Sequence, residues 1–267
     1  MSRICVVVLD HRNDEYLRDL VGGIQVFCPE VDIALYYSGE APVLAGTPAS
    51  GLYRLPGGRP LRYAKVTPFF LDLIEWTTTT GYEYVVNAET DMAFVQHGFE
   101  GFVANALRNV DYLSPGLTRH TPRTSRWRPY HSLRPELPEL LSILDLTYTN
   151  GCFSPGQVFS SRFAEQVVRS RCYDELRDFV ARNQDENRSF SLQEVLLPTI
   201  ADALGLRAAG YPAHLRTTNR YRPYHAAASV ARAQETPDAY FVHPVRRDPS
   251  DPARQAVRAL VRPAAVG

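Results

Sequence analysis

The stretch Tyr82–Val95, YEYVVNAETDMAFV, constrains the fold of this chain more than any other. Its short apolar run, Tyr84-Val85-Val86, reads as a buried strand and stops abruptly at Asn87-Ala88. Two carboxylates one residue apart, Glu89 and Asp91, follow before the chain turns apolar again. A buried strand that ends in paired acids carries hard oxygen ligands to the carboxyl edge of a sheet. In open α/β sheets that edge is where ligands bind. Paired carboxylates suit Mg²⁺ or Mn²⁺ carrying a phosphorylated substrate.

The elements before this stretch alternate as a parallel sheet with flanking helices requires. Ile4–Leu9 is a continuous apolar run and predicts a fully buried, central strand. Asp14 is placed to cap a helix from Glu15, whose apolar stripe runs Leu17, Leu20, Val21, Ile24 and Phe27 to a stop at Pro29. Asp32–Tyr37 is a second strand, and the Gly- and Pro-rich residues 40–61 read as loop. Thr67-Pro68 predicts a helix entrance with Thr67 as the N-cap and a Val66–Leu71 staple.

Farther on, the sequence predicts helices over 99–107, 136–146, 162–171 and 173–182, with a polar turn at 183–188. A well-marked helix begins at Ser191 and ends at Gly205. Strands are expected at 110–113, 157–161, 206–211 and 240–242. Residues 118–135 and 212–235 are basic and irregular, each containing the tetrapeptide Arg-Pro-Tyr-His. These elements predict one α/β domain over residues 1–267, with a tail from 251 held loosely.

Composition excludes several classes. Lys+Arg and Asp+Glu both count 29, so no global basic field argues for nucleic acid. No run is long enough for a transmembrane span or a signal peptide. The four cysteines lack metal or disulfide spacing and read as reduced thiols of a cytoplasmic protein. Lys65 is the only lysine, an arginine bias typical of high-GC bacterial coding sequence. A solitary lysine can be kept for its compact ammonium or be drift on a solvated face.

The run from Arg62 to Val95 resembles the core of the GT-A fold nucleotide-sugar glycosyltransferases. It shares their order of a helix bearing a basic residue, an apolar strand and an Asp-x-Asp motif, with Glu89 in place of the first Asp. The resemblance covers about the first 115 residues in order and the rest loosely. It implies a GT-A-like, mostly parallel sheet, with a nucleotide-sugar half over about 1–115 and an acceptor half over about 116–250. It implies a divalent metal, Mn²⁺ or Mg²⁺, bridging the phosphates of a nucleoside diphosphate sugar, with Asp91 the direct ligand and Glu89 its helper. A C-terminal histidine, His243, is the candidate third ligand; a lone histidine before a proline also fits a structural role.

By the same resemblance the segment from Asp10 to Tyr16, with Asp10 and Arg12, holds the nucleotide. Lys65 and Thr90 join the donor-binding group, Lys65 because an ammonium beside a helix N-terminus suits a diphosphate. Glu194 is the candidate general base toward a hydroxyl acceptor, with Asp185 and Glu186 as weaker substitutes. Ser191-Leu192-Gln193-Glu194 is equally a capping box, in which Glu194 merely closes the helix start. Two rival functions remain open. One is a sugar nucleotidyltransferase, although His11–Glu15 offers no glycine where that class has its Gly-rich loop. The other is a non-catalytic nucleotide- or sugar-binding protein.

Overall fold

The computed structural model describes residues 3–12, 14–40, 52–121, 125–186 and 189–261. β1 (Ile4–Asp10) is buried along its whole length, and its side chains alternate between two cores. Cys5, Val7 and Leu9 face one core, and Ile4, Val6 and Val8 face the other, as expected of a strand covered on both sides. α1 (Glu15–Phe27) starts where Asp14 Oδ1 accepts the Tyr16 N–H at 3.0 Å. β2 (Asp32–Tyr37) lies parallel to β1, and a two-residue β3 (Tyr53–Arg54) extends the sheet beyond it. Residues 41–51, inside the expected loop, lie outside the described residues.

α2 spans Thr67–Thr77, with Val66 as the N-cap and no side-chain cap bond. The expected Thr67 cap and Val66–Leu71 staple are therefore one residue out of register. Thr67 is already helical, and its hydroxyl points away to Gln193 Oε1 at 3.4 Å. β4 (Tyr84–Glu89) follows, parallel to β1, with Leu9 opposite Glu89.

The chain continues through β5 (Ala93–Phe94), α3 (Phe99–Ala106), β6 (Tyr112–Ser114), β7 (Thr118–His120), α4 (Arg128–Leu133) and α5 (Leu137–Leu144). Then come β8 (Thr149–Gly151), β9 (Val158–Ser160), α6 (Ser161–Val168), α7 (Tyr173–Glu186) and α8 (Gln193–Ala203). The last elements are β10 (Ala208–Gly210), a 3-10 turn over Ala213–Thr217, α9 (Ala227–Glu235), β11 (Phe241–Val242) and α10 (Pro252–Val261).

The main sheet has seven strands in the order β10-β6-β9-β4-β1-β2-β3. All its pairings are parallel except those of β9, which runs antiparallel to both β4 and β6. Strand order reverses between β1 and β4, so their carboxyl ends flank a crevice.

Three segments are more ordered than their polarity suggests. Residues 118–135 contain β7, paired with β8, and α4. α7 runs through Glu186, where the polar turn was expected, and the side chains of 184–186 lie outside the described set. The C-terminal segment forms α10 instead of a loose tail. It is amphipathic and buries Ala253, Val257 and the whole of Arg254. Two further ion pairs from Arg258, to Glu15 and Asp19, fasten it to α1.

Candidate active site

A cleft of about 400 Å³ opens at the carboxyl edge of β1 and β4. Its floor carries Leu9, Glu89 and Asp91, and its far wall carries Ser154, Gln193 and Glu194. Alternation along β4 explains the placement of Glu89. Val85 packs into the core that also holds Val195 and Leu196 of α8, and Glu89 lies an even number of residues on, so it faces α8.

Glu89, Asp91 and His243 each bring one ligand atom within 4.8 Å of the others. β11 delivers His243 by pairing with β5, just beyond the acids, and the Val245 N–H donates to the Asp91 carbonyl at 2.8 Å. His243 Nδ1 lies 3.0 Å from the Arg220 carbonyl, which only accepts, so Nδ1 carries the proton. Nε2 then faces Asp91 Oδ1 at 3.3 Å. A neutral imidazole would set two lone pairs against each other there. The arrangement calls for a cation between them, a proton or a metal, and the O, O, N donor set fits a divalent ion.

Charge around the acids is uneven. Burial pushes Asp91 up, but the His243 imidazole and then the Arg247 guanidinium, 3.4 Å from Oδ1, outweigh it and hold the carboxyl well below its ordinary range. Burial, and next the Asp91 charge, raise Glu89. The pair therefore has one carboxylate that stays ionised and one that titrates much higher.

Glu194 is buried, and burial pushes its carboxyl up to about 8, with the Glu89 charge adding to the rise. The Ser154 N–H donates to its Oε1 at 3.3 Å and partly opposes that shift. The capping-box alternative does not form: α8 begins at Gln193, its N-cap is Leu192, and no side chain caps it. The Ser191 N–H, which Glu194 would close in that motif, donates instead to the Ala64 carbonyl at 2.9 Å. Ala64 and Ser191 both line the cleft, and both hold left-handed φ angles, 58° and 52°. Strain of that kind persists where surrounding structure over-determines a backbone, as it does at ligand sites.

No protein-family model and no curated protein matches the sequence. Solved structures do match. The galactosyltransferase LgtC, in complex with donor and acceptor sugar analogues, superposes with a TM-score of 0.52 at 8% identity, covering 97% of this chain and 95% of that one. An active-site mutant of LgtC gives 0.52 at 11% identity, over 96% and 94%. The chain has the GT-A glycosyltransferase fold.

Within this GT-A fold, the structure brings Glu89, Asp91, His243 and Glu194 to one cleft. Asp10, Arg12, Lys65 and Thr90 are not among the residues that line this cleft. Asp10 is buried at the end of β1, where Oδ2 accepts the Arg12 N–H at 3.2 Å. The Lys65 ammonium is buried and donates to the Asn183 carbonyl at 2.8 Å. Thr90 is buried, with its carbonyl 3.5 Å from the Arg254 guanidinium. Tyr16 lies beneath that same guanidinium at 5.1 Å, which makes it packing.

Sequence reading did not single out Arg247, Ser154 or the rim tyrosines Tyr63 and Tyr221, although all line the cleft. Arg247 stands four residues past His243, a faint signal in an arginine-rich chain. Ser154 contributes a backbone N–H, which no side-chain pattern reports. The second Arg-Pro-Tyr-His segment does reach the cleft, through Arg222 and Tyr224, whereas His225 is buried and bonded to backbone carbonyls.

Proposed function

We propose that this protein is a glycosyltransferase that moves a sugar from a nucleoside diphosphate donor to a hydroxyl acceptor, assisted by Mn²⁺ or Mg²⁺. The observation that carries the reading is the pairing, in one cleft, of the Glu89–Asp91–His243 cluster with the buried carboxyl of Glu194. LgtC, which shares the fold, was solved with donor and acceptor sugar analogues.

Asp91 and His243 would hold the metal, with Glu89 as helper. The bound ion would neutralise charge on the donor diphosphate as it leaves. Arg247 stands beside Asp91 and offers a second positive group at the same place. Glu194 would take the proton of the acceptor hydroxyl, and its value of about 8 suits a base working in mildly alkaline solution. The exposed ring of Tyr63 and the half-exposed ring of Tyr221, at the rim, offer faces to an acceptor ring. His11 and Ser38, at the ends of β1 and β2, lie on the side left for the nucleotide.

The test is a Mn²⁺-dependent turnover assay over a panel of nucleotide sugars, with and without simple glycoside acceptors. Release of nucleoside diphosphate from one donor, lost in Asp91→Asn, supports the reading. Tight nucleotide binding without turnover of any donor would show a binding protein instead. Formation of a nucleotide sugar from a sugar phosphate would show a nucleotidyltransferase.

A further inference from the structure

Pro198 sits in the middle of α8, four residues after Glu194. A proline there has no N–H to give the Glu194 carbonyl, and its ring crowds that carbonyl outward. The carbonyl accepts instead from the Cys152 N–H at 2.9 Å. Two residues along the same loop, the Ser154 N–H donates to the Glu194 carboxylate. The main chain and the side chain of one residue are thus both held by residues 152–154.

The loop is itself fixed at further points. Phe153 N–H donates to the Pro115 carbonyl at 2.8 Å, and Gly156 N–H donates to the Asn87 carbonyl at 3.2 Å. Asn87 lies on β4 just before Glu89. On the other side of Pro198, Thr199 Oγ1 accepts the Asn150 N–H at 3.0 Å, so β8 lies along the face of α8 that the proline opens. Hydrogen bonds from residues 152–156 therefore connect Glu194 on α8 with β4, the strand that ends in Glu89.

We infer that Pro198 is a positioning residue, which docks the 152–154 loop on α8 and so sets Glu194 against Glu89 and Asp91. The catalytic consequence rests on the proposed role of Glu194, whereas the docking itself does not. In Pro198→Ala the restored N–H competes for the Glu194 carbonyl. Alanine is also the better helix former, which offsets part of the cavity left by a buried proline, so the variant should still fold. Its Cys152 amide should nevertheless exchange with deuterium at least about tenfold faster. Loss of the Ser154 donor removes a bond to the charged carboxylate, so the alkaline rise in kcat should move to higher pH. kcat should fall with donor KM unchanged.

A backbone ester at the same position, Pro198→lactate, keeps a non-proline side chain without an N–H. It should restore slow Cys152 exchange and the parental pH profile. Equal exchange in the alanine and ester variants would overturn the inference, as would parental exchange and pH profile in Pro198→Ala. If Glu194→Gln keeps full turnover while the exchange result holds, the function of Glu194 has failed and the docking has not.

Discussion

His243 Nε2 and Asp91 Oδ1 stand 3.3 Å apart with the far nitrogen of the imidazole already committed to the Arg220 carbonyl. Mn²⁺ added to the protein should bind there and raise Tm by mass action. At 100 times Kd the gain is about 2.7 kcal/mol. Asp91→Asn and His243→Gln should each weaken Mn²⁺ affinity by about tenfold or more, read by calorimetry or by the Mn²⁺ electron paramagnetic signal. Glu89→Gln should cost less, because that carboxyl is the more easily protonated of the two. Undiminished binding in Asp91→Asn would move the metal elsewhere.

Glu194 gives the clearest pH dependence. In its proposed role as base it is competent only when ionised, so kcat should rise with pH and level off above about 8. Glu194→Gln should cost roughly 10²–10⁴-fold in kcat and abolish the inflection. Stability responds in the opposite direction. The folded-state pKa is raised, so the contribution of the neutral carboxyl is complete below the unfolded value and lost as pH climbs through about 8. Chemical denaturation across that window should show a decline of a few kcal/mol, at about 1.4 kcal/mol per unit. Glu194→Gln, permanently neutral, should remove most of it.

The parts of the fold legible in the sequence were those written in unbroken local patterns. Ile4–Leu9 and Tyr84–Val86 are apolar because both faces of β1 and β4 are covered, and each matched strand contains the run that predicted it. Glu89 and Asp91 could be placed because the end of a buried strand must meet the sheet edge. Short-range rules failed where a distant partner decided the outcome. Thr67 and Ser191 both carry cap-like letters, but Gln193 and Ala64 take their hydrogen bonds. The polar C-terminal segment looked loose because the partners of its arginines, Asp19 and Glu15, lie more than two hundred residues earlier.

Arg254 illustrates that last case and makes a stability prediction. Its guanidinium is fully buried, contacts Asp19, and donates to the carbonyls of Thr90, Val245 and Arg246. It thereby ties α10 to α1 and to both segments that carry the candidate metal ligands. Arg254→Met takes one of two guanidiniums from Asp19, which keeps Arg258, and leaves three carbonyls without that donor, at a cost of about 1–3 kcal/mol. Arg254→Lys should recover little, because one ammonium cannot span the same set of acceptors. Urea denaturation reads both. Loss of less than about 1 kcal/mol in the methionine variant would show that the clasp is dispensable.

Lys65 separates what its sequence neighbourhood suggests from where the fold puts it. Beside a helix entrance it suits a diphosphate, yet its ammonium is buried and bonded to the Asn183 carbonyl. Burial lowers its pKa, and the Glu136 charge partly restores it, so the group is buried close to α7 and Glu136, and it is absent from the cleft lining. Lys65→Met preserves most of the side-chain length and removes the donor. It should cost about 1.5–3 kcal/mol, the worth of one hydrogen bond from a charged donor. Affinity for a nucleoside diphosphate should stay within about twofold of the parent, because no charge is lost from the cleft. Arg247→Gln is the contrasting variant: it leaves the core intact and removes the guanidinium beside Asp91. Its nucleoside diphosphate affinity should fall by about tenfold or more, a change of ~1.4 kcal/mol. Titration calorimetry with the same ligand on both variants decides the matter, and the reverse ranking would return the diphosphate to Lys65.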